Sequence, residues 1–396
     1  MAERSPLLIH SNAPWSSTGY GQQCGIFAPR LDETYGVGVS SFYGLEGARL
    51  NWQDMVVYPG IGGDYGNASL LANAKAHFGG DPRGGTVLTL MDVWVLDPSV
   101  VRQLNVACWV PVDHEPAPPR VLEFFAHSGA IPIAMSRFGE KMLTGYEPLY
   151  VPHGIDTSIY RPIPRDEARS FTEFPEDKFI VGMVAANKGN PSRKCFAEAL
   201  LAFKHFRASH PDAILYLHTE MSGRFDGVNL PQLLAAVEMP EDSVFFPDQD
   251  RLLLNPFSHR AMANVYNSLD VLLCPSAGEG FGIPVLEANA CGVPAIVTDF
   301  SAQAEVCGAG WKVKYSPTWT AQGSWQAHPD VQDILDALKA AHKADERARE
   351  SMSRQARAHA ENYDADLVTS KYFLPALEQV AERFAARDPV ALKAAA

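Results

Sequence analysis

The sequence predicts an α/β protein of two domains, each an open parallel sheet with helices on both faces. Three observations carry that expectation. The chain has 396 residues, more than one core organises at about 100–200 residues per domain. Short Val/Ile-rich runs alternate with stretches of helical spacing, and strands that are apolar throughout belong to parallel sheets buried on both sides. The alternation halts once, at 157–178, where TSIYRPIPRDEARSFTEFPEDK holds three prolines and little apolar periodicity.

In the first half, apolar runs predict strands at 7–9, 37–42, 55–58, 86–91, 105–112, 130–134 and 149–153. Helical spacing predicts helices at 67–77, 119–127 and 136–144, the last opened by Ser136 as N-cap. Beyond the halt, strands are expected at 179–185, 213–218, 243–246, 270–274, 295–298 and 311–314, and helices at 193–209, 257–268 and 282–290. The tail, 331–343 and 345–384, reads as Ala-rich helix, which Pro375 should kink or break. The expected domains are 1–156 and 179–362, joined by a linker at 157–178, with a closing helix in 363–396 placed to pack back on the first domain. Open parallel sheets bind ligands outside the carboxyl ends of their strands. Function is therefore expected in a cleft shared by the two domains.

Composition narrows the function. Hydrophobic residues make up 46% and charged ones 20%, which excludes a disordered or collagen-like chain. Lys and Arg number 33 against 46 Asp and Glu, a net charge of −13 spread over both halves. That excess repels extended polyanions but leaves room for a local basic pocket for one phosphate group. The six cysteines lie far apart with no CxxC pair, so neither a zinc ribbon nor a disulfide framework is suggested, and reduced thiols in the cytoplasm are expected. The N-terminal apolar run is too short for a signal peptide, and no window approaches the ~18 apolar residues of a membrane span.

The densest chemistry lies in Glu279-Gly-Phe-Gly-Ile-Pro-Val-Leu-Glu287, followed by Ala-Asn-Ala-Cys-Gly-Val-Pro. Gly280 and Gly282 let backbone approach a ligand closely, and Pro284 suits a first helical turn. A helix N-terminus after a parallel strand offers free N–H groups to an anion such as a diphosphate. Two carboxylates flanking an anion site make poor phosphate ligands but good acceptors for hydroxyl groups of a sugar and a ribose.

That spacing, with PSAGEGFG before it and CGVPAIVTD after it, resembles the signature of family-4 retaining glycosyltransferases of the GT-B fold, two Rossmann-like domains facing a cleft. The resemblance covers about 179–313 well and the first domain loosely. It implies that Glu279 holds sugar hydroxyls, that Phe281, Gly282 and Ile283 bind the donor through backbone, and that Glu287 takes the ribose diol. In VGMVAANKGNPSRK (181–194), Lys194 matches the family lysine that neutralises the leaving diphosphate, with Arg193 as partner. The position where the family commonly has an arginine holds Asn187, expected on the donor, which leaves the division of roles among Arg193, Lys194 and Lys188 open.

In the first half, SNAPWSSTGYG (11–21) follows the first strand. By resemblance this loop sits over the donor at Gly19 and lines the acceptor side at Thr18 and Tyr20. His114 and Asp113 follow the strand at 105–112, the family often carrying a histidine there that contacts the sugar; Asp113 would orient the imidazole, and Glu115 is an alternative acid or base. Asp92 ends the preceding strand and is a further cleft candidate. Gly154 is expected to permit a tight turn, with His153 and Asp156 structural.

An Asp-x-Asp pair, Asp248-Gln-Asp250, is the one metal candidate, but cations and a helix end already serve a diphosphate, so it is read as a surface loop near the nucleotide base. The expected activity is metal-independent, cofactor-free transfer of a sugar from a nucleoside-diphosphate sugar with retention. The rivals are an epimerase or hydrolase of the same fold and a non-catalytic nucleotide-sugar binding protein. The acceptor stays open among glycan, lipid, protein, small metabolite and modified DNA base. The SSTGYGQQ segment resembles glycosyltransferases of phage and environmental genomes.

Overall fold

The computed structural model describes residues 4–254 and 257–387. The chain divides into two compact units. Of the described residues, the first takes in those up to Gly154, with Gln322–Ser324 and those from Tyr363 on; the second takes in those of Ile155–Ala321 and Trp325–Asn362.

In the first unit, β1 (Pro6–Asn12), β2 (Gly36–Tyr43), β3 (Leu50–Trp52), β4 (Met55–Tyr58), β5 (Thr86–Leu90), β6 (Val106–Val110), β7 (Ile131–Ala134) and β8 (Leu149–Tyr150) form one sheet. Its order is β3-β4-β2-β1-β5-β6-β7-β8. Every pair is parallel except β3 with β4. The antiparallel edge strand β3 was not expected, because its three residues are too few for an apolar run. All five residues of β6 are buried, as a central strand covered on both faces requires.

The second unit holds β9 (Phe179–Val184), β10 (Ala213–His218), β11 (Val244–Phe245), β12 (Val271–Cys274), β13 (Ala295–Thr298) and β14 (Gly310–Val313) in the all-parallel order β11-β10-β9-β12-β13-β14. Phe196, Phe203 and Phe206 of helix Phe196–Ser209 pack with Val181, Leu215 and Leu338 in its core. An antiparallel hairpin of β15 (Tyr315–Trp319) and β16 (Trp325–Pro329) was also unexpected. Its first strand is exposed throughout and lacks the apolar run used to find strands.

Two sequence expectations need correction. The stretch 157–178 is not an irregular linker: it belongs to the second unit and contains helix Arg165–Thr172. Polar anchoring explains why periodicity missed it. The buried Arg169 guanidinium donates to Asp270 at 2.9 Å and to the carbonyls of Pro175, Glu176, Lys178 and Ser268. Second, Gly154 lies outside any turn and serves close packing instead, since a Cβ there would fall 2.8 Å from Phe27 and 3.1 Å from Ala365. At Pro375 the tail changes helix type: a π-helical segment at Thr369–Phe373 runs directly into helix Leu374–Arg387, a local distortion that accommodates a residue with no N–H to donate. Residues 388–396 of the expected closing helix lie outside the described residues.

The tail helices complete the first unit. Phe373 stacks edge-on against the buried Trp109 with ring centres 4.8 Å apart and lies 5.0 Å from Phe27. Trp109 donates its indole N–H to Val151 at 2.7 Å, and His153 packs on it at 4.4 Å. Burial pulls His153 down to about 3, so it is a neutral core residue.

Candidate active site

Each sheet reverses its strand order once, and loops that leave adjacent strands in opposite directions open a crevice there. In the second unit the reversal lies between β9 and β12. The segment after β9 carries Asn187, Arg193 and Lys194; the segment after β12 carries Glu279 through Gly282.

These segments are joined by charge. Arg193 donates to Glu279 Oε2 at 2.9 Å and also to the Gly278 carbonyl, and Lys194 Nζ is paired with Glu279 Oε1. The Ala277 N–H donates to the Arg193 carbonyl at 2.8 Å, fixing the two loops to each other. The Glu279 N–H donates to Ser301 Oγ at 2.9 Å. Burial alone would raise the Glu279 carboxyl, but Arg193, Lys194 and a hydrogen bond from Ser276 outweigh it and hold the group at about 2. It is ionised throughout the physiological range.

The cations do not open a helix as the sequence suggested. Helix Phe196–Ser209 starts two residues later, after Cys195 in the left-handed region at φ +56°. Arg193 and Lys194 thus stand in the preceding loop, where Glu279 offsets the positive end of the helix dipole that they face.

Gly282 caps helix Ile283–Ala290 at φ +105°, a conformation L side chains rarely adopt, and Pro284 lies in the helix's first turn. The Phe281 ring is buried, so what this segment offers a ligand is backbone. Glu287, four residues into the helix, is buried, and its Oε2 accepts from the Tyr266 hydroxyl at 2.7 Å. Tyr160 is hydrogen-bonded to it as well; burial and this carboxylate raise both phenols well above their ordinary range.

The Asn187 amide is buried, donating to the carbonyls of Glu220 (2.9 Å) and Val228 (2.7 Å) and accepting from Val228 N–H (2.8 Å), so its side chain shapes the 220–228 loop. Asp248 accepts from the Arg251 N–H at 2.7 Å at the start of helix Gln249–Leu254. Among the described residues, no three His, Cys, Asp or Glu side chains gather as a metal site.

In the first unit the reversal lies between β1 and β5. Tyr20, after β1, donates its hydroxyl to Asp92 Oδ2, after β5, at 3.2 Å. Thr18 is the N-cap of helix Gly19–Asp32: its Oγ1 accepts from Gly21 N–H at 3.0 Å and from Asn12 at 2.5 Å. Gly19 begins that helix. His114, buried after β6, has Nδ1 2.6 Å from Asp113 Oδ1. Sequence reading missed Ser276, three residues before Glu279, and Ser301 and Tyr266, which hold the two glutamates from segments remote in sequence; a tyrosine on the apolar face of helix His259–Asn267 reads only as core.

Among the described residues, no helix is long and apolar enough to cross a membrane. Residues 164–359 match the family model of glycosyl transferases group 1. The D-inositol 3-phosphate glycosyltransferase of Gordonia bronchialis is 29% identical over 251 residues, covering 61% of this chain and 49% of that protein. The chain thus spans about half the length of the curated relatives it matches. The sucrose-phosphate synthase of Thermosynechococcus elongatus superposes with a TM-score of 0.72 at 16% identity, over 97% of this chain and 100% of that one. Anabaena HepE, solved with UDP and glucose, superposes at 0.65 and 14% identity, over 97% and 100%. The chain has the GT-B fold, and its residues 164–359 match the glycosyl transferases group 1 model.

Proposed function

We propose that the protein is a retaining glycosyltransferase that takes a nucleoside-diphosphate sugar on its second unit and an acceptor on its first. The Glu279–Arg193–Lys194 cluster carries this reading. Two cations fixed beside a glycine-capped helix start supply what a departing diphosphate needs, and preorganised charge acts at the bond-breaking step without rearrangement. When a donor binds, its diphosphate takes Arg193 and Lys194, and Glu279 turns to the sugar hydroxyls. Tyr266 and Tyr160 hold Glu287 for the ribose. With two protein cations in place, transfer needs no divalent metal. The reduced, mostly buried cysteines support a cytoplasmic location. A phage or environmental origin rests on the 16–23 segment.

The test incubates the full chain with labelled UDP-, GDP- and ADP-sugars, with and without candidate acceptors, and with EDTA. Acceptor-dependent transfer that keeps the donor's anomeric configuration and survives EDTA is expected. Inverted product, or EDTA loss restored by Mn²⁺, overturns the corresponding part; epimerised donor without acceptor points to the rival reaction.

A further inference from the structure

We propose that His259 is a positioning residue for the nucleotide: acting through Tyr160, it fixes the Glu287 carboxylate that receives the ribose hydroxyls. The proposal rests on the reading that Glu287 takes the ribose, and adds what orients that carboxylate.

Glu287 is buried and meets two buried phenols. Tyr266 donates to its Oε2 at 2.7 Å, and Tyr160 is hydrogen-bonded to it as well. The Tyr160 oxygen has a second neighbour, His259 Nδ1, at 3.0 Å. A phenol carries one proton, so it donates to only one of these two partners. With Nδ1 bare, the imidazole and the carboxylate compete for that proton, and a buried acceptor left facing another acceptor is costly. With a hydrogen on Nδ1, every group is satisfied: the imidazole donates to the Tyr160 oxygen and the Tyr160 hydroxyl donates to Glu287. Hydrogen bonds running in one direction also polarise and strengthen one another. The direction is therefore from His259 to Tyr160 to Glu287.

One helix places both ends of this network. His259 opens helix His259–Asn267 behind Ser258 as N-cap, and Tyr266 stands seven residues on, two turns along the same face. The Tyr160 ring meets His259 edge-on at 5.9 Å and Tyr266 at 6.2 Å. The backbone around Tyr160 is held separately. Asn267 donates to the Arg161 carbonyl and accepts from Ile163 N–H, each at 3.0 Å, and Arg357 donates to the Tyr160 carbonyl at 2.6 Å. His259 itself is exposed. Losing the imidazole thus leaves the segment in place and releases only the direction of the phenol's proton. With the phenols on fixed lone pairs, the carboxylate holds one plane and keeps acceptor sites for a diol.

The experiment measures the affinities of UDP, GDP and ADP, and of their 2′,3′-dideoxy forms, for the full chain by calorimetry. The preferred nucleotide should bind about tenfold or more tighter than its dideoxy form. His259→Phe should reduce that ratio about two- to tenfold, the scale of one hydrogen bond, without moving the affinity for the dideoxy form. Tyr160→Phe should do the same, and the double variant should lose no more than Tyr160→Phe alone. His259→Asn, whose amide N–H replaces Nδ1–H, should restore the ratio. An unchanged ratio in His259→Phe overturns the proposal, as does a loss that falls equally on both forms of the nucleotide, which marks a merely structural role. A wild-type chain that binds the two forms alike removes Glu287 from the ribose, the reading beneath the proposal, so the two failures are distinct.

Discussion

Glu279 is the residue on which most of the chemistry turns, because one carboxylate holds both cations. Its pairing has a thermodynamic signature. A carboxyl held at about 2 in the folded chain, against an ordinary 4.5, contributes stability that is present above the ordinary value and lost as pH falls through about 2. Glu279→Gln removes that contribution. Denaturation at a series of pH values should show the stability gap between wild type and variant closing from about pH 5 to about pH 2; a gap that stays constant over that span contradicts the pairing. The same substitution, and Lys194→Ala, should lower transfer by about 10²–10³-fold, the scale of losing a preorganised charge-stabilising group. Folded variants with near-wild-type rates would remove both residues from the site.

At the scale of elements, helix Arg165–Thr172 shows what holds a segment that burial alone does not. Asp270 accepts from Arg169 at 2.9 Å, from Arg165 at 2.6 Å and from Ile180 N–H at 2.7 Å, with its side chain buried. Removing one partner leaves a buried guanidinium uncompensated, so Asp270→Asn should cost about 3–5 kcal/mol in chemical denaturation; a loss below 1 kcal/mol, the scale of a surface pair, would contradict the buried-network account. Gly282→Ala strains the cap of helix Ile283–Ala290 at φ +105° and brings a Cβ 3.4 Å from Gln303 and Val306. It should cost about 1–3 kcal/mol, and an unchanged midpoint would mean that this turn tolerates a side chain. These elements also show which parts of the fold were legible. Buried parallel strands such as β6 announce themselves as continuous apolar runs, and the Glu279–Glu287 segment is contiguous, so its residues and their spacing sit in one line of sequence. The helix at Arg165, the exposed hairpin of β15 and β16, and the supports Ser301 and Tyr266 depend on partners farther away in the chain. No periodicity encodes such partners.

At the scale of the whole molecule, the chain builds two cores, but not in two consecutive blocks. It leaves the first unit after Gly154 and returns from Tyr363, whose following segment supplies Phe373 against Trp109 and Phe27. Two separate cores are expected to unfold as two cooperative units, and a ligand then raises the stability of the unit it binds. UDP, offered without sugar, should contact the second unit through Arg193 and Lys194. Calorimetry should then resolve two transitions, of which one moves upward with UDP, by about 2.7 kcal/mol of stability at 100 times its dissociation constant. Lys194→Ala should abolish that movement and leave the other transition in place, whereas Trp109→Ala should lower the other transition by opening a cavity in the first core. Equal movement of both transitions with UDP would show that the nucleotide draws on both cores. Movement that persists in Lys194→Ala would place the diphosphate away from the Glu279 cluster.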